Sequence, residues 1–217
     1  MTSAPIVVVT GANRGIGFEI SRQLANRGAQ VVLTARKSEV GKAAVKKLTA
    51  QNLTVQFQPL DVTSNKSIIA LREFLKRAYG RLDVLINNAG IVAEGDAAGL
   101  KVDMETVRVT LETNALGPLH LSQTLAPLLR RSKHARIVNI SSGMGAFSEM
   151  RSPFDLARIS PSTSRCVKGE PYGSNSAFCN VAISTPAAHI GPYPPWAGCV
   201  YGDSIPQLSR EDRCHGI

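Results

Sequence analysis

Apolar residues follow two patterns along the first 140 positions. Short unbroken runs suit strands buried on both faces: Ile6-Val7-Val8-Val9, Val31-Val32-Leu33, and Leu82 to Ile86. Between them, apolar residues recur at helical spacing. One such stretch runs from about Ile16 to Arg27 and carries Ile20 and Leu24. Ser38 to Gln51 predicts a basic helix, and Ser64 is a good cap for one carrying Ile68, Ile69, Leu71, Phe74 and Leu75. Val55-Gln56-Phe57 predicts a third strand. A long helix is expected from about Met104 to Leu129, bent near Pro118, and Arg136 to Ile140 predicts a fifth strand. Gly28 stands where the first helix should close.

Short apolar strands alternating with helices predict an α/β fold, a Rossmann-type doubly wound parallel sheet with helices on both faces. Such sheets bind ligands beyond the carboxyl ends of their strands. After Ser142 the pattern fails. Met144 to Arg165 has no clear period, Val181-Ala182-Ile183 is a weak strand pattern, and Pro192 to Trp196 reads as loop.

Composition sharpens that break. Residues 1–150 hold 41 Leu, Ile and Val and no cysteine, whereas residues 151–217 hold 10, with 8 of the 12 prolines and all 4 cysteines. The first part can build a core; the second is poor in the apolar surface that must offset chain entropy. The expected organisation is a dinucleotide-binding domain over 1–150 and an atypical segment over 151–217, incomplete or irregular in fold. The N-terminal residues lack a secretion-signal pattern, and no apolar run approaches the roughly 20 residues of a membrane span. A cytoplasmic protein with no membrane partner is the expectation, and its cysteines, lacking CxxC spacing, read as free thiols without a metal. The net charge of +9 raises nucleic acid as a partner. The basic residues are dispersed along predicted helices without aromatic interleaving, so no nucleic acid is expected.

The chemistry concentrates at strand ends. Thr10-Gly11-Ala12-Asn13-Arg14-Gly15-Ile16-Gly17 joins the first strand to the first helix. Glycines there allow a tight turn and close approach to a pyrophosphate, and the helix start offers free N–H groups. An acidic residue ending the second strand would bind the 2′-hydroxyl of NAD. This chain has Arg36 and Lys37 there, with Arg14 in the glycine loop, a set of cations suited to the 2′-phosphate of NADP(H).

The G-x-x-x-G-x-G spacing, with Thr10, Asn13 and Ile16, strongly resembles the cofactor loop of the short-chain dehydrogenase/reductase family. The resemblance covers roughly residues 5–142. It implies that Asp61 and Val62, after the third strand, contact the adenine; a second reading has Asp61 cap the helix starting near Ser64. Asn87-Asn88-Ala89-Gly90 resembles the family's N-N-A-G signature, so Asn88, Ala89 and Gly90 are expected along the cofactor. By the same resemblance Asn114 helps organise a proton-relay water, the other reading being a locally satisfied polar group. Ile137 to Gly143 resembles the strand that delivers the catalytic serine, here Ser142, whose role is to hydrogen-bond the substrate carbonyl oxygen. Segments such as Val32-Leu33-Thr34-Ala35-Arg36 and Leu82 to Asn88 are similar to the carbonyl reductase branch. That branch implies NADPH-dependent reduction of a small aldehyde or ketone, and the wider family resemblance implies pairing of copies through the long helix holding Asn114 and the helix after it.

The family reaction needs a Tyr and a Lys one helical turn apart, and no Tyr-x-x-x-Lys follows Ser142. Tyr172 is kept as the catalytic tyrosine, with Ser176 where the Lys belongs; a second register puts Ala157 and Pro161 at the two positions. A Pro-Gly turn is also absent from the chain. Three readings stay open: an active NADP-dependent carbonyl reductase, an NADP-binding protein without turnover, and a truncated gene product with little folded function. The break points to an altered reading frame or alternative splicing from about residue 155. The gene's nucleotide sequence decides this, by whether another frame restores Tyr-x-x-x-Lys and Pro-Gly.

Overall fold

The computed structural model describes residues 4–94 and 102–141 in full, and Ser142 and residues 179–184 as backbone. In chain order the elements are β1 (Ile6–Val9), α1 (Gly15–Asn26), β2 (Gln30–Ala35), α2 (Ser38–Thr49), β3 (Val55–Pro59), α3 (Asn65–Ala78), β4 (Val84–Asn87), α4 (Met104–Leu111), a π-helical turn (Glu112–Leu116), α5 (Gly117–Leu129), β5 (Arg136–Ser142) and β6 (Cys179–Ser184). The sheet order is β3-β2-β1-β4-β5-β6. Strands β1 to β5 run parallel, with Val8 opposite both Val32 and Leu85. Chain order reverses between β1 and β4, which opens the crevice where this class of sheet binds ligands.

The period of two in each strand sends alternate residues to opposite faces. Ile6, Val8, Val32 and Leu85 pack with Leu71, Leu75, Leu121 and Leu125 from α3 and α5. Val7, Val9, Val31, Leu33 and Ile86 pack with Ala25, Ala44 and Leu48 from α1 and α2. Each fully buried Leu contributes about 1.5–3 kcal/mol of apolar transfer, so these two layers hold the sheet rigid beneath the crevice.

Helix ends follow local chemistry. Gly28 sits at φ +86, with Gly28 N donating to Ala25 O (3.0 Å) and Ala29 N to Leu24 O (3.1 Å), the double bond that closes a helix through a left-handed residue. Ser64 caps α3, its hydroxyl accepting from Ser67 N at 3.3 Å.

Two details refine the expectations. The long helix is interrupted by a π turn at Glu112–Leu116, just before Pro118. Pro118 stands at the start of α5, directly after that turn, and has no N–H to donate back into it. The last strand, Cys179–Ser184, runs antiparallel to β5 with Ser142 opposite Cys179. It extends the predicted Val181–Ile183 run and gives the otherwise parallel sheet one antiparallel edge.

Candidate functional site

The carboxyl ends of β1, β2 and β4, with the turn after β3, surround a cleft of about 570 Å³. Gly11, Asn13, Arg14, Gly15, Ile16 and Gly17 line one side, and Arg36, Asp61, Val62, Asn88, Ala89 and Gly90 also reach it. The fold thus brings together every candidate binding residue except Lys37, which flanks the cleft as the N-cap of α2.

Two glycines are required by space. A Cβ on Gly11 would stand 2.9 Å from the Ala89 Cα, and φ there is +61. A Cβ on Gly17 would stand 2.3 Å from the Asn88 amide nitrogen and 3.0 Å from the Ala12 Cα. Gly15 differs: nothing lies within 4 Å of its would-be Cβ, but φ is +60, a conformation other residues reach at a cost. The loop therefore lies tight against the β4 end and open toward the cleft.

Polar bonds lock that arrangement. The Thr10 hydroxyl accepts from Asn88 N (2.9 Å) and Ala89 N (2.8 Å), and Asn88 Nδ2 donates to Thr10 O (2.7 Å) and Gly11 O (3.2 Å). Among the described residues, nothing donates to the buried Asn88 Oδ1. The start of α1 is likewise uncommitted: Arg14, its N-cap, makes no side-chain cap bond, and the first turn has no acid. Free helix N–H groups and a positive dipole end suit a phosphate. Arg14 and Arg36 are both exposed at this mouth.

Asp61 lines the cleft, and its carboxylate accepts from Thr63 N (2.9 Å) and the Thr63 hydroxyl (2.7 Å). The cap of α3 is Ser64, so the helix-capping reading of Asp61 is corrected: it shapes the turn leading to that cap. Asn114, buried in the π turn, meets the backbone of Ile91 twice. Its Oδ1 accepts from Ile91 N and its Nδ2 donates to Ile91 O, both at 2.8 Å. The inserted π residue thereby ties the helix to the segment that follows Gly90, as π turns often do at functional sites.

Ser142 ends β5 on the same side of the sheet, and only its backbone is described. Tyr172 lies outside the described residues, as do Ser176, Ala157 and Pro161. Sequence reasoning quoted Thr10 only as a flank of the glycine loop and did not single out Thr63, Ile91 or Thr113, which line the cleft. For Thr10 the available signal was a small hydroxyl at a buried strand end.

No described group of three or more His, Cys, Asp or Glu could hold a metal ion. No described helix is long and apolar enough to cross a membrane.

Residues 5–153 match the family model for short chain dehydrogenase. Carbonyl reductase [NADPH] 1 of Mus musculus is 44% identical over 143 residues, which is 65% of this chain and 50% of that protein. (+)-Neomenthol dehydrogenase of Arabidopsis thaliana is 44% identical over 158 residues, 64% of this chain and 53% of that one. Among solved structures, salutaridine reductase from Papaver somniferum superposes with a TM-score of 0.61 at 34% identity, covering 70% of this chain and 62% of its own. The chain spans about half the length of the curated relatives it matches. The matched region holds the parallel sheet and the whole cleft, and on that footing the chain belongs to the short-chain dehydrogenase family.

Proposed function

We propose that this chain binds NADP(H) in the cleft and is an oxidoreductase that reduces the carbonyl group of an aldehyde or ketone to an alcohol. The observation that carries the reading is the mouth of the cleft. Arg14 and Arg36 are exposed there, and β2 ends in Ala35 without an acid. Two guanidinium groups favour a 2′-phosphate, which an acid at that position would repel. A solved short-chain oxidoreductase in complex with NADP resembles this chain with a TM-score of 0.61 at 30% identity, covering 75% of this chain and 71% of its own.

The residues present fit such a cofactor. The uncommitted start of α1 and the close-packed glycine loop would receive a pyrophosphate, Asp61 and Val62 would lie beside the adenine, and Asn88 Oδ1 is a buried acceptor with no donor among the described residues. Lys37 adds charge from the edge. When bound, the cofactor supplies a hydride to the carbonyl carbon. On this reading residues 1–150 form the cofactor-binding unit. Asn114 fixes Ile91, and so the wall beside Gly90. Ser142 donates a hydrogen bond to the carbonyl oxygen and stabilises its developing charge. Tyr172 gives that oxygen its proton. Ser176 cannot supply the cation that would ease this transfer, so turnover is expected to be slow.

That missing cation favours a second reading, a protein that binds NADP(H) without turnover. Exposed Met104, Leu111, Leu116 and Leu119 along α4 to α5 support pairing of two copies. A thermal-shift titration tests the cofactor: NADPH at 100 times its Kd raises stability by about 2.7 kcal/mol, and NADH at equal concentration does much less. Equal shifts, or none, refute the cofactor assignment. Aldehyde-dependent NADPH oxidation then separates the two readings.

A further inference from the structure

At the end of the sheet opposite the cleft, the fold assembles a strongly basic rim that the sequence scatters. Lys76 and Arg77 close α3, Arg130 and Arg131 follow α5, Lys133 lies in the next turn, and Arg136 opens β5. All six side chains are exposed. Their loops are stitched together: Leu82 N donates to Leu128 O (3.2 Å), Arg131 Nη1 to Gly80 O (3.0 Å), and Arg136 N to Asp83 O (2.9 Å).

The acid at this rim is already engaged. Asp83 is paired with Arg81 at 3.1 Å and also accepts from Ile6 N (2.7 Å) and the Ser132 hydroxyl (2.5 Å). Residues 113–142 contain no Asp or Glu at all. Among the described residues, no ion pair joins a carboxylate to any of the six cations. Helix C-termini attract cations, which accounts for Lys76, Arg77, Arg130 and Arg131. It does not account for Lys133 and Arg136, which lie beyond the helix end. Six like charges with no paired carboxylate among the described residues repel one another, and an external anion relieves that repulsion.

We propose that this rim docks the protein on an anionic phospholipid surface, with the cleft facing away from it. Beyond the small imidazole of His134, the rim presents no exposed aromatic or large aliphatic side chain among the described residues. A protein interface would need such anchors, and single-stranded nucleic acid would need stacking platforms. Anionic headgroups need only a concentrated positive face, and each nearby Lys or Arg adds to the attraction within a Debye length. The expectation of no membrane partner is revised in this respect. It rested on the missing apolar span and secretion-signal pattern, which a peripheral basic face does not need; residues 76–81 and 130–136, far apart in sequence, are neighbours in space.

The test is flotation of the full chain with vesicles of phosphatidylcholine, with and without phosphatidylserine. The chain is expected to float only with phosphatidylserine, and added salt should release it. The quadruple variant Arg77→Ala/Arg130→Ala/Lys133→Ala/Arg136→Ala should partition at least about tenfold less. A variant with Lys42→Ala/Lys46→Ala/Lys47→Ala, on the exposed face of α2, should partition within about twofold of the parent. Unfolding curves establish that each variant is folded. Binding to neutral vesicles, no binding at all, or equal loss in both variants overturns the proposal. So does rim-dependent binding to a short DNA duplex without binding to vesicles.

Discussion

The contact between Gly17 and Asn88 makes a prediction that a single substitution cannot settle but a double-mutant cycle can. A methyl group on Gly17 would fall 2.3 Å from Asn88 Nδ2. The amide must then swing away, and its bonds to Thr10 O (2.7 Å) and Gly11 O (3.2 Å) break. Each such bond is worth about 1 kcal/mol net, and leaving buried carbonyls unpaired adds to the loss. Against this, alanine in a helix gains up to about 1 kcal/mol over glycine. Gly17→Ala is therefore expected to cost about 2–3 kcal/mol, or roughly 5–10 °C in Tm for a domain of this size. In an Asn88→Ala background the obstructing amide is gone, and only the 3.0 Å approach to Ala12 Cα remains. There the same glycine change should cost less than about 1 kcal/mol, giving a coupling of about 1–2 kcal/mol by urea unfolding of the four proteins. Equal costs in both backgrounds, within about 0.5 kcal/mol, would refute the steric account.

Three further outcomes follow from the geometry. Arg36→Asp should lower NADPH affinity by about tenfold or more and raise that for NADH, read by fluorescence titration of each nucleotide. Asn114→Ala should destabilise by about 2–3 kcal/mol, because Ile91 loses a partner for both its N–H and its C=O. Asp83 sets an acid limit. Burial opposes its ionisation, but the Ile6 N–H, the Ser132 hydroxyl and Arg81 together outweigh burial and hold its carboxyl below the ordinary 3.8. A lowered acid stabilises the fold above the unfolded value and loses that contribution as pH falls below it. Urea midpoints of the parent should therefore drop below about pH 3.8, and Asp83→Asn should be less stable at neutral pH and lose this part of the acid dependence.

The strands and most helices were legible because burial on both faces leaves an unambiguous record. Ile6–Val9 and Leu82–Ile86 read as apolar runs, the second holding most of β4, and Gly28 and Ser64 mark helix ends by their backbone and side-chain chemistry. The cleft was legible because glycines and strand ends bring its residues together by a fixed topology. The π turn was not legible. One inserted helical residue leaves no period of its own, and Pro118 marked only its neighbourhood. Asp61 was ambiguous because an Asx turn and a helix cap draw on the same residue type within three positions. The basic rim was hidden for another reason. Its two halves are more than 50 residues apart, and only the packing of α3 against α5 makes them one surface.

Thr10 also bears on when the site comes into being. Its hydroxyl and carbonyl are tied to Asn88, 78 residues away in sequence. A chain emerging from the ribosome can finish β1, the glycine loop and α1 long before β4 exists. The loop then has nothing to press Gly11 and Gly17 against, and closing so long a segment is entropically slow. Nucleotide thus cannot template early folding. It can only capture a sheet that has already inserted β4 beside β1, so retention of nucleotide by a nascent chain reports that this central strand is in place.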